Sequence, residues 1–359
     1  MSEVTPSGFL RTPSTGLADL LWSDGWHVPE VDLRLPAPLE DVTALRGMRG
    51  LTVAWPAEPV PMDVVAGLAK AGVPMTSPVV PEWARAADPA LAALLEDQAW
   101  LSPPPSGGME DVTDLRREEH SIRLRRHGRH STAAVRPSVS VVMASRRPHL
   151  LEHAIGQLSR QRDVDIELLL APHGYTPPSL DAPFPVTVVE APESILLGEV
   201  LNRAAAQASG QYVAKWDDDD WYGPQHLSDL LMARAYAQAE VVGVAQEFFY
   251  LEPLGVTVRR TDYSSEVETD HVAGGSILLD LATFKKIGGF GETAASEDAH
   301  LLRSAIAHGA RVYRTHGLGY VLRRGAARNH SWQLPLKHFL RVAGNQWRGF
   351  RPSLILEWP

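Results

Sequence analysis

Tyr212-Val-Ala-Lys-Trp216 runs directly into Asp217-Asp-Asp-Asp220 and then Trp221-Tyr222, and that junction decides how the chain is read. Tyr212 to Trp216 has the β-prone character of a buried strand and follows a helical pattern over Leu196–Ala208. Helix followed by buried strand is the unit of a parallel α/β sheet. Such sheets place ligands beyond the carboxyl ends of their strands, where these aspartates stand. Adjacent carboxylates repel one another unless solvent or a cation relieves them. On an extended segment alternate side chains share a side, so Asp217 and Asp219 are expected to converge while Asp218 and Asp220 point elsewhere. A hard divalent ion, Mg2+ or Mn2+, suits that pair and would complete its shell with phosphate oxygens and water, holding a diphosphate as a leaving group. An acidic turn that only caps the next helix reads the same way from this stretch alone.

The alternation extends to either side. Val139–Met143, Ile166–Leu170, Val186–Val189 and Ser276–Leu279 read as strands, and Leu150–Gln161, Leu281–Ile287 and Ser296–His308 as helices. Nearer the N-terminus one more α/β unit is legible: the strand Leu51-Thr-Val-Ala-Trp55, a helix over Met62–Ala71 closed by Gly72, and a short strand Val73-Pro-Met75. Leu101-Ser-Pro-Pro-Pro-Ser-Gly-Gly108 cannot continue a helix or central strand and reads as a linker. The expected organisation is an N-terminal accessory α/β region over 1–110, a basic connector helix over 111–135, a main α/β domain over 136–332, and a C-terminal amphipathic helix and tail over 333–359. In the connector, Leu115, Ile122 and Leu124 stand amid Arg116, Arg117, Arg123, Arg125, Arg126 and Arg129, the pattern of a solvated helix or of a site for an anionic partner. In the tail, Leu336, Phe339, Leu340, Ala343 and Trp347 fall at helical spacing, which suits docking on the main domain or contact with a membrane surface.

Composition narrows the functional classes. Hydrophobic content of 44% and charged content of 21% are ordinary for a globular chain of 359 residues. No segment reaches the roughly 18 uninterrupted apolar residues of a membrane span. The first 20 residues lack the basic start and apolar block of a secretory signal, so a cytoplasmic location is expected, with peripheral membrane contact left open. The absence of cysteine excludes disulfides and thiolate metal sites, and a net charge of -9 argues against general nucleic-acid binding.

Val139-Ser-Val-Val-Met-Ala-Ser-Arg-Arg-Pro148, Leu197-Gly-Glu-Val-Leu-Asn-Arg203, the stretch Ala208–Tyr222, Ala273-Gly-Gly-Ser276, Ile287-Gly-Gly-Phe290 and Ser296-Glu-Asp298 occur in that order. Together they resemble the family 2 glycosyltransferases over about Pro137 to Trp332. The resemblance implies a GT-A fold, a Rossmann-like mixed sheet for nucleotide-diphospho-sugars, and inverting transfer of a sugar to an acceptor hydroxyl. It assigns Asp217 to the ribose or to metal-bound water and Asp219 to the metal, with Asp218 or Asp220 in support. Asp298 becomes the general base and Glu297 its orienting neighbour. The first loop, with Ala144, Ser145 and Arg146, receives the nucleotide, Asn202 is kept on the donor side, and Gly274 and Gly275 form a tight turn on the acceptor side. Tyr320–Trp332 resembles a basic loop folding over the donor phosphates, with Arg323, Arg324 and Arg328 as clamps and His330, or less directly His316, as a further metal ligand.

The pattern also departs from the family. Met143-Ala144-Ser145-Arg146 stands in place of Pro-Thr-Tyr-Asn, Pro172-His173-Gly174 stands where acidic residues usually contact the base, and Leu201 replaces an arginine. Arg146 or Arg147 could reach the diphosphate, and His173 could cover the nucleobase; both are equally readable as surface side chains. Trp221 and Tyr222 could stack on a sugar or acceptor ring or pack under the sheet. The donor is expected to be a UDP-sugar, with GDP- and dTDP-sugars as alternatives, and the acceptor a glycan, a lipid-linked carrier or a small molecule. Residues 1–110 could select the acceptor or form a homodimer. A binding scaffold without turnover is the rival of another class. A nucleotidyltransferase is the enzyme rival, but it calls for a glycine-rich phosphate loop where this chain has Ala144-Ser-Arg-Arg-Pro148.

Overall fold

A computed structural model describes residues 4–102, 112–129, 136–293, 296–325 and 334–358, and the chain divides into two units, 1–132 and 133–359. The first unit holds β1 (Thr15–Trp22), β2 (Trp26–Val28), β3 (Leu33–Leu35), β4 (Met48–Ala54) and β5 (Met75–Thr76) in the order β3-β2-β1-β4-β5. β1, β4 and β5 are parallel, and β2 and β3 continue the sheet antiparallel. Its helices are α1 (Asp63–Lys70), α2 (Glu82–Ala87), α3 (Pro89–Glu96) and α4 (Thr113–Arg129). α1 buries Val64, Val65, Leu68 and Ala69, the i, i+1, i+4, i+5 stripe of an amphipathic helix, into a core with Leu20, Leu51 and Met75.

The helix expected to be a solvated connector belongs to this unit. Besides Leu115, Ile122 and Leu124, α4 buries Arg117, Glu118, Glu119, His120, Ser121 and Arg125. Arg117 donates from Nε to Arg49 O at 2.5 Å and from its two terminal nitrogens to Leu10 O at 2.6 Å and Met48 O at 2.9 Å. Burial pulls its pKa down to about 10. His120 Nε2 lies 2.7 Å from Met75 O, and Ser121 Oγ donates to Gly72 O at 2.6 Å. Arg117, which composition assigned to water or an anion, instead satisfies carbonyls of β4 and of Leu10, and α4 falls within the first unit, 1–132. Arg117→Met, which leaves those carbonyls buried without donors, is expected to cost about 3 kcal/mol in urea unfolding of the full chain.

In the second unit the strands are β6 (Ser138–Ser145), β7 (Asp165–Pro172), β8 (Val186–Val188), β9 (Tyr212–Lys215), β10 (Trp221–Tyr222), β11 (Val241–Val244) and β12 (Phe248–Leu251). They continue as β13 (Val256–Arg260), β14 (Val267–Glu268), β15 (Leu278–Asp280), β16 (Val312–Thr315), β17 (Tyr320–Arg324) and β18 (Ala343–Arg348). The helices are α5 (Leu151–Ser159), α6 (Leu197–Ala205), α7 (His226–Ala237), α8 (Leu281–Lys286), α9 (Glu297–Ala307) and α10 (Leu336–Val342). The main sheet has eight strands in the order β14-β16-β11-β15-β9-β6-β7-β8. It is mixed: β6 to β9 are mutually parallel, but β15 runs antiparallel to both β9 and β11. Side chains alternate across it. Val139, Val141 and Met143 of β6 pack with α5 on one face, and Val142 packs with α6 and α9 on the other.

A second sheet, β10-β17-β12-β13-β18, follows the carboxyl side of the acidic turn. Two expectations change here. Among the described residues of the tail the expected α-helix covers α10, and residues 343–348 pair antiparallel with β13 instead, with Trp347 opposite Thr257. Phe339 is fully buried against Phe249, Leu251 and Val258, so this face of α10 is used within the unit. The basic segment after Gly319 begins as β17, which puts Arg323 and Arg324 on a strand rather than a loop; Arg328 and His330 lie outside the described residues. Among the described residues no helix is long and apolar enough to cross a membrane.

Candidate active site

β9 ends at Lys215, and the chain turns through residues 218–220 instead of continuing extended. The two-residue alternation therefore stops applying, and the four aspartates take different hydrogen-bond partners. Asp218 and Asp219 share Arg147, whose guanidinium binds both Asp218 oxygens and reaches Asp219 Oδ2 at 2.6 Å. Ser145 Oγ donates to Asp218 Oδ2 at 2.5 Å and accepts from Arg147 N at 3.0 Å, which seats the end of β6 against the turn. Asp220 points inward and accepts from Tyr320 Oη and from Arg323 N at 2.9 Å. Burial, with added repulsion from Asp219 and Asp217, pushes the Asp220 carboxyl well up. Burial also raises Asp218, against the pull of Arg147.

Asp217 turns the other way, towards the residues expected on the acceptor side. Its Oδ1 accepts from Lys215 Nζ at 2.8 Å, and its backbone N–H donates to Tyr222 Oη at 3.0 Å, which in turn donates to Gly275 O at 2.9 Å. Tyr222 is thus a brace between the acidic turn and the glycine turn, its ring stacked on Trp216 at 3.6 Å between centroids, and not a stacking platform for ligand. The glycine turn, Gly274–Ser276, is fixed to β11 by Ser276 Oγ, which accepts from Val244 N at 3.0 Å and donates to Ala273 O at 2.7 Å. A Cβ on Gly274 would stand 1.9 Å from Asp298 Oδ2, and one on Gly275 would stand 2.5 Å from Asp217 Oδ2. The space left by these two glycines is filled by the two carboxylates themselves, so the turn sets Asp217 and Asp298 side by side.

Glu297 and Asp298 open α9, where the helix N-terminus favours negative charge, and Asp298 Oδ1 accepts from Ala299 N at 2.7 Å. Glu297 Oε1 lies 3.6 Å from Lys215 Nζ; burial pushes its carboxyl up, partly opposed by that lysine. Lys215 was not singled out from sequence. The signal was available, since a lone charge in an apolar strand two residues before Asp217 shares its side of the chain.

Other expected residues divide. Arg146 and His173 come together at the ends of β6 and β7, with Arg146 Nε 3.1 Å from His173 Nδ1. Burial and the Arg146 charge lower the His173 pKa. Ala144 lies half-buried on β6 next to them. Asn202 is not turned to a donor: its amide brackets Phe290, accepting from Phe290 N at 2.8 Å and donating to Phe290 O at 2.9 Å, which pins the loop leading to α9. Arg324 is buried, donates to Leu334 O at 2.7 Å and lies over Phe339. Trp221 sits in an aromatic cluster with Tyr250, Phe350 and Trp358. His316 lies 3.2 Å from Asp229 of α7. Among the described residues no three His, Asp or Glu side chains converge as a ready ligand set for a metal.

Residues 141–274, from β6 to the glycine turn, match the model of the family described as Glycosyl transferase family 2. The match bears out the resemblance carried by the motifs, and the mixed sheet of the second unit is the GT-A type of fold that it implies. Glu297 and Asp298 fall beyond the matched segment. No curated protein matches the chain. Among solved structures, the chain is similar to the mannosyltransferase PcManGT from Pyrobaculum calidifontis in complex with GDP-Man and Mn2+, at 16% identity and a TM-score of 0.42, over 57% of this chain and 59% of that one. It is also similar to residues 1–349 of S. aureus TarS in complex with UDP-GlcNAc, at 16% identity and a TM-score of 0.44, over 57% of this chain and 64% of that one. The chain therefore spans about three fifths of the length of these proteins.

Proposed function

We propose that this protein is a glycosyltransferase that moves a sugar from a nucleotide-sugar donor to an acceptor hydroxyl with inversion, Asp298 taking the hydroxyl proton. The observation that carries the reading is the Gly274-Gly275 turn, against which the donor-side carboxylate Asp217 and the base Asp298 are packed in contact distance of consecutive glycines. Asp298 Oδ2 removes the proton as the acceptor oxygen attacks the anomeric carbon from the face opposite the leaving diphosphate. The N-terminus of α9 stabilises the carboxylate before transfer.

Carboxylate oxygens suit Mg2+ or Mn2+; on the family resemblance Asp219 would ligate the metal, Asp217 would reach it directly or through its water, and His330 would be a further ligand, with phosphate oxygens and water as the remainder. When bound, the metal offsets the charge of the diphosphate as it leaves. Arg147, bridging Asp218 and Asp219, is the cation best placed to turn to phosphate. Ala144, Ser145, Arg146 and His173 line the nucleotide side at the ends of β6 and β7. A UDP-sugar is the proposed donor, and a glycan, lipid-linked or small-molecule acceptor meets it from the side of Gly274 and Asp298. Calorimetric titration with UDP, GDP, dTDP and CDP is expected to give binding of one of them with Mn2+, weakened at least ~10-fold by chelator. Absence of binding by all four would remove the donor reading.

A further inference from the structure

In the scheme above Lys215 has no part, yet it is buried at the end of an otherwise apolar strand. Its Nζ lies 2.8 Å from Asp217 Oδ1 and 3.6 Å from Glu297 Oε1. The carboxylates around it are Asp217, Glu297 and, next along α9, Asp298. Each of these carboxylates belongs to the proposed reaction, and they come from two places: Asp217 from the acidic turn, Glu297 and Asp298 from the start of α9. Backbone contacts fix the lysine in the same frame, since Lys215 N donates to Ile277 O at 2.9 Å, just beyond the glycine turn. Asp217 meets Gly275 with its other oxygen, and Asp298 meets Gly274. The ammonium therefore closes a circuit in which the glycine turn spaces the two carboxylates on one side and Lys215 draws their elements together on the other. A buried cation needs close partners to be tolerated at all, and an apolar side chain would serve the strand as well if packing were the only demand.

We propose that Lys215 is a positioning residue, whose ammonium ties the donor-side carboxylate Asp217 to the acceptor-side pair opening α9 and so sets the distance between donor sugar and base. The proposal rests on the glycosyltransferase reading and deepens it. It adds no contact with substrate.

Lys215→Met keeps the length of the side chain and removes the charge. It is expected to lower kcat about 100-fold through misplacement of the base and to weaken Mn2+-dependent nucleotide binding about 10-fold through Asp217. Adding Glu297→Gln to Lys215→Met is expected to return nucleotide binding to within about 3-fold of the unaltered protein, because one of the two carboxylates left facing each other is gone. A double variant that binds no more tightly than Lys215→Met, or a Lys215→Met protein with unchanged kcat, overturns the proposal. A third measurement depends neither on catalysis nor on the folding of Lys215→Met: thermal unfolding, without metal, of Asp217→Asn, Glu297→Gln and their combination. With the lysine as a bridge the combination loses more than the sum of the single changes; additive losses overturn the bridge. An unaltered protein that binds no nucleotide and transfers no sugar sinks the enzyme reading, a result separate from the outcome of the thermal cycle.

Discussion

Asp298→Asn is expected to lower transfer by roughly 100- to 10,000-fold while leaving metal-dependent nucleotide binding close to that of the unaltered protein. The replacement is isosteric, and an asparagine Oδ1 can still accept from Ala299 N as the aspartate does at 2.7 Å, so the start of α9 keeps its geometry. What is lost is the oxygen facing Gly274, which becomes an amide nitrogen unable to take a proton. Steady-state kinetics beside calorimetry separate the two effects. An Asp298→Asn protein that retains full transfer would remove the base from this position, and one that loses nucleotide binding equally would mean the residue serves the donor.

Gly274→Ala and Gly275→Ala should part the two halves of the reaction with single methyl groups. Neither glycine has a backbone conformation reserved to glycine, so the effect is steric. At Gly274 the new methyl would stand 1.9 Å from Asp298 Oδ2 and 2.9 Å from its Cγ, and the Asp298 carboxylate must rotate away. A displacement of this size is expected to cost about 100-fold in kcat, with donor affinity preserved. At Gly275 the methyl meets Asp217 Oδ2 at 2.5 Å and Tyr222 Oη at 3.1 Å. There the loss is expected in nucleotide affinity, about 10-fold or more, because the displaced carboxylate is the one assigned to the donor. Equal profiles for the two variants would argue that the turn only maintains the fold.

Reading the chain from residues went furthest where short-range chemistry decides structure. The apolar run into Asp217 located the end of β9, and the run Val139–Met143 located the strand that the structure sets between two cores. It failed where the deciding partner is distant in sequence. The arginines of α4 look solvated because the carbonyls that Arg117 satisfies belong to Leu10, Met48 and Arg49. Leu336 to Trp347 looks like one helix because the pairing with β13 that takes over at Ala343 leaves no mark in the spacing of apolar residues. Within the site, strand geometry stops at Lys215, so alternation does not foretell that Asp219 takes Arg147 while Asp217 takes Lys215. Asn202 shows a subtler limit: an amide that suits a ligand equally suits the backbone of Phe290, and only the fold discriminates.

The edge position of β18 has a consequence for how the chain is made. By residue 315 every strand of the main sheet has been synthesised, and Asp298 with them. α10 and β18 arrive last, so a nascent chain leaving the ribosome carries β13 with a bare edge and an uncovered apolar hollow around Phe249, Leu251 and Val258. Such an edge is a template for pairing with a neighbouring chain. A chain terminated before residue 334 would keep every strand of the main sheet and leave this edge open.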